Sequence, residues 1–543
     1  MSVALPDLDL RPDHWAIVRD ALRRHVPDRE VLAFGSRATW TAKDYSDLDL
    51  AIMGQEPLSL RVTSALDEAL VESDLPFRVD IVDWWRIDDS FRAIIRRHGV
   101  PFHTPHDGRC GTSPEPVSDW LRCTVSEACS AIDYGLTKAA SDRSSGQKFL
   151  RITDIVSGHI NWNTVPYVTV GSETAEKYGL RHDDIVLART GASTGVSAYI
   201  KNPPPSVFAS YLVRLRARSG FDGRFLAYYL RSELFRGYMR GVLGDKSAQP
   251  NASATTMTAA PFRAPRDPRE QRAIAHVLGT LDDKIELNLR MNETLEAMAR
   301  ALFKSWFVDF DPIRAKMEGR DTGLPRDIAG LFPDRLVDSE LGKIPKGWAV
   351  RTLGDLCHKP QYGFTASAQE KPVGPRFLRI TDINKESWVS WSRVPYCRVT
   401  GEDVSKYRLS KGDVLIARMA DPGHGIVVEE DLEAVFASYL IRFRPIQSGT
   451  GRFLQYWLRS DAYWHLVRGR ATGTTRRSLN AKVLSRFPMV APPTAVAVAF
   501  AGLVGLWRGR LVANVGEMET LAALRDTLLP MLISGKVRVE STA

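Results

Sequence analysis

Phe149-Leu150-Arg151-Ile152-Thr153-Asp154-Ile155 stands a second time in this chain, letter for letter, as Phe377-Leu378-Arg379-Ile380-Thr381-Asp382-Ile383. Phe208-Ala209-Ser210-Tyr211-Leu212 recurs at the same offset as Phe436-Ala437-Ser438-Tyr439-Leu440. Between these anchors Asp184-Ile185-Val186-Leu187-Ala188-Arg189 answers to Asp413-Val414-Leu415-Ile416-Ala417-Arg418. Further on, Phe225-Leu226-Ala227-Tyr228-Tyr229-Leu230-Arg231-Ser232 answers to Phe453-Leu454-Gln455-Tyr456-Trp457-Leu458-Arg459-Ser460. Solenoid units run to about 20–50 residues, and this spacing is far longer, so each copy is expected to be a domain with its own core. Two like domains in one chain point to a pseudo-symmetric object that touches two places on one partner.

Within each copy a tryptophan-bearing segment (Trp120, Trp348) leads to a Tyr-Gly pair, Tyr134-Gly135 and Tyr362-Gly363. Runs with strand character at 165–168, 185–188 and 212–215, separated by Pro, Gly and Asn, predict a mostly β domain with one or two helices, one of them around 225–228. After the first copy a helical stripe runs through Ile274, Leu278, Leu281, Ile285, Asn288, Asn292, Leu295, Ala299, Leu302 and Trp306. After the second it runs through Phe500, Val504, Trp507, Leu511, Asn514, Met518, Leu521, Arg525, Leu528 and Leu532. Steps of three and four make this a heptad seam, in which a buried asparagine sets register. Asn288 and Asn514 occupy equivalent places. Two such helices can pair antiparallel as a rod of about 50 Å; the other reading is that each only covers its own domain.

The formal charge of +9 is uneven: residues 1–110 hold 14 Lys/Arg against 19 Asp/Glu, which leaves the repeated part strongly basic. Such a balance fits a polyanionic partner, or simply an arginine-rich proteome. The five cysteines form no C-x-x-C pair and have no nearby histidine at zinc spacing, so neither a metal knuckle nor a disulfide framework is expected. The longest uncharged apolar run, 495–507, falls short of the roughly 20 residues of a membrane span, and the start of the chain has no basic-then-apolar leader pattern. No membrane partner and a cytoplasmic location are expected.

Residues 15–103 carry a different pattern. Trp15, Val18 and Leu22 have helical spacing, 31–34 and 48–52 read as strands, and 77–83 as a third. Asp47 and Asp49, two apart, project to one face. Neighbouring carboxylates are costly to keep charged unless a cation lies between them, which suits Mg²⁺; Asp80 is a further ligand or base. The Gly35-Ser36 turn offers backbone amides to a triphosphate. Gly35-Ser36-Arg37, Ser46-Asp47-Leu48-Asp49-Leu50 and Val79-Asp80-Ile81 together resemble the minimal nucleotidyltransferases of the polymerase β superfamily. That resemblance implies Mg²⁺ held by Asp47, Asp49 and Asp80 as the catalytic set, with the phosphates of ATP or another NTP at Gly35 and Ser36. The competing readings are a capped, solvated strand end and an intact fold without activity.

From about residue 118 onward the order of β domain, long helix, β domain, long helix resembles the specificity subunit of type I restriction-modification systems. Trp306-Phe307-Val308-Asp309-Phe310-Asp311-Pro312 and Ile344-Pro345-Lys346-Gly347-Trp348 are strong local matches. The resemblance implies an α+β multidomain chain: a small α/β nucleotidyltransferase domain (1–105), a linker (106–117), target-recognition domains (118–268 and 343–492), two long antiparallel coiled-coil spacer helices (269–312 and 493–536) and a second linker (313–342). It further implies double-stranded DNA read in two halves, with two methyltransferase subunits and restriction subunits as partners and no cofactor for this part. A 50 Å rod spans about 15 base pairs, room for two footprints around an unread gap.

Residues that read bases are expected in polar loops. In the first copy the candidates are Arg143, Lys148, Arg189, Thr190, Ser193, Lys246 and Gln249; in the second, Lys371, Arg418, His424, Arg476 and Arg477. A solvated or structural role is the alternative for each. Arg189 and Arg418 match between copies, which favours phosphate or scaffold roles; the unmatched 246–249 and 474–477 favour discrimination. Leu281, Ile285, Asn288, Leu295, Trp507, Leu511, Asn514 and Leu521 are the expected helix seam. Asn202-Pro203-Pro204-Pro205 lacks the aromatic of an amino-methyltransferase motif, and Gly191-Ala192-Ser193-Thr194-Gly195 lacks the Lys of a phosphate loop, so both read as turns. The alternative function is a nucleotidyltransferase, acting on protein or RNA, that the DNA-binding half only localises.

Overall fold

The structure is a computed structural model that describes residues 8–40, 42, 46–54, 56–103, 120–141, 145–156, 158–243, 250–383, 386–470 and 478–539. In the N-terminal domain, helix α1 (Pro12–His25) opens on a proline, whose missing N–H is no loss in a first turn, and ends on Arg23, Arg24 and His25, which complement the helix dipole. It buries Trp15, Val18 and Leu22. Strands β1 (Val31–Phe34), β2 (Leu48–Ile52), β3 (Val79–Asp83) and β4 (Val100–His103) form one sheet in the order β3-β2-β1-β4, with β2 and β3 parallel. Between them lie α2 (Leu60–Val71), capped by Ser59, and α3 (Asp89–His98), capped by Asp88. The third strand starts two residues later than expected, because Phe77 lies under the Arg37 guanidinium, 3.9 Å away, instead of pairing.

Each repeated domain is built on a four-stranded antiparallel sheet. In the first copy the order is Ser197–Tyr199, Ile185–Ala188, Leu212–Ala217, Cys129–Tyr134. Gly425–Val427, Val414–Ala417, Leu440–Phe443 and Gln361–Tyr362 follow the same order in the second. Beside each sheet a parallel pair forms, Gln147–Leu150 with Ser206–Phe208 and Arg376–Leu378 with Ala434–Phe436. The duplicated heptapeptide now has a physical reading. Phe149 and Leu150 fill the core at a strand end; the Arg151 backbone N–H then donates to Asp154 at 2.8 Å while its guanidinium bonds the same carboxylate, closing a one-turn helix. Arg379 and Asp382 repeat those contacts. The Tyr-Gly pair is a matter of space: a Cβ on Gly135 would lie 2.2 Å from the Ala209 carbonyl oxygen, and one on Gly363 2.3 Å from that of Ala437.

Two helices of 40 residues each, Pro268–Phe307 and Thr494–Ile533, run about 60 Å. They are antiparallel: Asp282 meets Arg525, Asn292 meets Asn514, Glu296 meets Arg508 and Phe303 meets Phe500. The seam differs in detail from its expected course. Asn288, Leu511 and Asn514 are fully buried, but Leu281, Ile285, Leu295, Trp507 and Leu521 are only half-buried, while Glu296, Phe303 and Arg508 are enclosed. A straight helix drifts about 20° per heptad from a 3.5-residue repeat, and near Glu296 a third helix, Thr450–Trp457, joins the pair, so burial follows that three-way junction. The second spacer helix contains an 18-residue window of mean hydropathy 1.5, long and apolar enough by length and composition to cross a membrane, although its uncharged run is short. Several of its apolar side chains, Phe500, Val504 and Leu511 among them, lie on the buried face of the helix pair.

Candidate functional site

Asp49 on β2 stands opposite Asp80 on β3 in parallel register, and Asp47 precedes it by the two residues that return the chain to the same face. Burial raises the Asp49 carboxyl above its ordinary value, and the charges of Asp80 and Asp47 raise it further. Asp49 therefore senses both neighbours, but the three do not form a closed set: Asp80 is ion-paired with Arg78 at 2.9 Å, and among the described residues no three His, Cys, Asp or Glu side chains gather closely enough to ligate together. Gly35 takes φ +76°, and a Cβ there would meet Asp49 Oδ2 at 2.2 Å, so only glycine lets this turn pass the carboxylate. Ser36 follows it, half-buried. Buried Arg37 fixes the loop by donating to the carbonyls of Ser46 and Asp9, both at 2.9 Å.

In the repeated domains the expected base readers separate into groups. Lys148 is a correction: it is buried, donates Nζ to the Val165 carbonyl at 2.8 Å and lies 3.9 Å from the Tyr167 ring, because its strand sits inside a sheet. His424 is half-buried, its ring 3.0 Å from Asp421 and edge-on to Trp464. Lys371 is exposed; Thr190 and Ser193 are half-buried, the latter in the short turn Gly191–Ser193 that replaces any phosphate loop. Arg189 and Arg418 share one arrangement, guanidinium 4.8 and 4.9 Å from the rings of Tyr134 and Tyr362. Arg143, Lys246, Gln249, Arg476 and Arg477 lie outside the described residues.

Sequence reading missed the ionic joints that seat each β domain on the helices. Asp282 of the first helix accepts from Tyr228 and Arg231 of the first domain and from Arg525 of the second helix, each at 2.7 Å. At the other joint Arg508 bonds Glu296 at 2.8 Å and pairs with Glu429, while Tyr456 and Arg459 reach the same Glu296. Tyr228 and Tyr456, like Arg231 and Arg459, are matched repeat positions, which was the available signal. Among the described residues Cys123, Cys129, Cys357 and Cys397 are free, and burial pushes the thiols of Cys129 and Cys357 up to about 12, which leaves them protonated and inert.

Residues 125–297 and 345–496, more than half of the chain, match the type I restriction modification DNA specificity domain. The chain belongs to the type I restriction-modification DNA specificity family. Ahead of this specificity subunit's two copies, residues 19–104 match the polymerase β nucleotidyltransferase family. The HindI type I restriction enzyme specificity subunit of Haemophilus influenzae is 26% identical over 314 residues, which cover 50% of this chain and 68% of that subunit. The probable protein adenylyltransferase MntA of the same organism is 51% identical over 90 residues, 17% of this chain and 79% of that protein. A crystal structure of the S subunit of a type I restriction-modification system from M. genitalium aligns over 77% of this chain and 97% of that one, at 13% identity and a TM-score of 0.47. The nucleotidyltransferase domain precedes the two specificity-domain copies in this chain.

Proposed function

We propose that residues 118–543 read a two-part duplex DNA target, one part per β domain, and that the paired helices set the distance between the parts and dock two methyltransferase subunits, through them restriction subunits. The observation that carries this reading is the matched construction: two copies of one domain, each tied by a Tyr and an Arg to helices that run antiparallel. A spacing of about 60 Å corresponds to about 18 base pairs of duplex, so the halves are separated by bases that neither domain touches. Exchange of residues 118–270 for those of another family member, followed by selection from a random duplex pool, is expected to change one half of the selected site. A change in both halves together overturns the modular reading.

The N-terminal domain supports a second activity, transfer of a nucleotidyl group from ATP to a hydroxyl of a protein, in keeping with its likeness to a probable protein adenylyltransferase. In that transfer the acceptor hydroxyl gives its proton to a base, for which Asp80 is the candidate, and its oxygen bonds the α-phosphorus as the bond to pyrophosphate breaks. Asp47 and Asp49 would hold Mg²⁺, which when bound offsets the negative charge of the triphosphate. Gly35 and Ser36 leave the turn open beside Asp49 for the phosphates, and Asp80, on the same face, orients the acceptor once released from Arg78. Incubation of the full chain with ATP labelled on the α-phosphate and a cell extract tests this: labelled protein is expected, and its absence with every acceptor leaves a docking or regulatory module.

A further inference from the structure

Seven arginine pairs are matched between the two recognition domains, and five of them are neutralised in both copies; a sixth, Arg240 and Arg468, pairs with Glu233 in the first copy and is exposed in the second. Arg151 and Arg379 pair with Asp154 and Asp382, Arg214 and Arg442 with Asp133 and Asp413, and Arg216 and Arg444 with Asp184 and Asp413. Arg224 and Arg452 pair with Asp283 and Glu429, and Arg231 and Arg459 with Asp282 and Glu296. Arg189 and Arg418 stand apart. Neither has a carboxylate partner among the described residues, and in both the Nε is buried without a hydrogen bond. Among the described residues the side-chain hydrogen bond that Arg189 makes is long, to Asn251 Oδ1 at 3.5 Å.

Both guanidiniums are nonetheless held in place. Each lies against a tyrosine, Tyr134 or Tyr362, whose hydroxyl accepts a backbone N–H from Ala254 or Ala481 at 2.9 and 3.0 Å and so keeps its own proton for donation. Each arginine's backbone N–H donates to the carbonyl of a second tyrosine, Tyr211 at 3.0 Å or Tyr439 at 2.9 Å. Those second rings are among the most exposed large side chains of the domains, at 61% and 54%. A half-buried, positioned and uncompensated cation beside an exposed ring is built for an external anion. Because the same three residues recur in domains whose loops differ, the anion must be the feature common to both halves of the target.

Resting on the DNA-reading function proposed above, we propose that Tyr134, Arg189 and Tyr211, and their counterparts Tyr362, Arg418 and Tyr439, form two equivalent clamps for a phosphate and its sugar in the DNA backbone. The clamps fix each domain's register on the duplex without reading sequence. Discrimination belongs to unmatched residues.

The test measures binding of the full chain to two duplexes, one carrying its selected sequence and one random, across a salt series. Arg189→Ala and Arg418→Ala are each expected to weaken both duplexes alike and to make the plot of log affinity against log salt shallower by about one unit. Arg189→Lys keeps the slope. Tyr211→Ser, at a ring already in solvent, weakens both duplexes without altering the slope or the melting of the chain. An unchanged slope in both alanine variants overturns the clamp, as does an altered selected sequence in one half. Should the wild-type chain show no sequence selection at all, the DNA-reading function fails instead, and the clamp with it.

Discussion

Asn514 Nδ2 donates to Asn292 Oδ1 at 2.8 Å in the middle of the antiparallel helix pair, with both side chains fully buried. The bond leaves Asn292 Nδ2 and Asn514 Oδ1 without partners. Nearby, Asn288, equally buried, turns outward to bond Glu517 at 2.9 Å. The two asparagines expected to be equivalent therefore do not meet each other; each finds a different partner, because antiparallel crossing brings position 292 opposite 514. This register pairs Asn514 with Asn292 and lets Asn288 reach Glu517 at the same time.

Asn514→Leu alone should destabilise the chain by about 1–3 kcal/mol, since it strands the Asn292 amide in an apolar seam. The double variant Asn292→Leu with Asn514→Leu should recover most of that loss, and register should loosen. A double-mutant cycle by thermal unfolding reads the first effect, and disulfide trapping between cysteines placed across the pair reads the second. Additive destabilisation in the cycle would mean that the two amides do not interact.

Acid should undo the joint at Arg508. Burial acts to raise the carboxyls of Glu296 and Glu429, but the arginines around them, Arg459, Arg508 and Arg300 for the first and Arg508 and Arg452 for the second, outweigh it and hold both below the ordinary value. A carboxyl depressed in the fold contributes stability above the unfolded value, about 4.3, and loses it as pH falls through the folded one. The wild-type chain should thus be steady from pH 7 to about 5 and weaken below about 4. Arg508→Met removes a charge that both glutamates share and should cost about 3–5 kcal/mol at pH 7. Its penalty should shrink toward pH 4, as the orphaned carboxyls protonate. Unfolding at several pH values would expose a penalty that stays constant, which the charge account does not allow.

The duplicated phrases were readable because their residues answer to local geometry that any copy must satisfy. Arg151 and Asp154 close a turn, and Gly135 yields to a carbonyl, wherever the domain sits. Seam positions were readable as a stripe but not to the residue, since Glu296 and Phe303 are enclosed by Tyr456 and Phe453, 160 and 150 residues away. Lys148 looked like a surface cation for the same reason: its burial depends on Val165 and Tyr167 across the sheet. At the N-terminal domain the alternation rule places Asp49 and Asp80 side by side in register, yet the Arg78 pair that occupies Asp80 is a neighbour whose direction no alternation rule fixes.

Leu281→Asp combined with Leu511→Asp should abolish helix pairing. Leu511 is fully buried and carries most of the effect; Leu281 is half-buried, so its single variant should be the milder. An unpaired aspartate in that seam costs several kcal/mol. Cross-linking between the helices should be lost, and with it capture of methyltransferase subunits, although the β domains keep their own cores. A double variant that still holds two methyltransferase subunits would remove the paired helices from the docking role.

Asp47→Asn with Asp49→Asn should separate the two functions proposed for the chain. Neutral amides cannot offset a divalent cation, and Asn at 49 also removes the charge that burial and Asp80 hold in an unfavourable state. Folding should therefore be unharmed or slightly improved at pH 7, while Mg²⁺-dependent labelling from ATP disappears. Gly35→Ala should abolish labelling by another route, since at φ +76° its methyl would press on Asp49 Oδ2, and here the domain itself should lose stability. DNA selection should survive all three changes, because the repeat lies wholly in residues 118–543. Calorimetry with ATP and Mg²⁺ on wild type and the Asp47→Asn, Asp49→Asn variant decides the matter: equal binding by both would place the nucleotide away from these carboxylates.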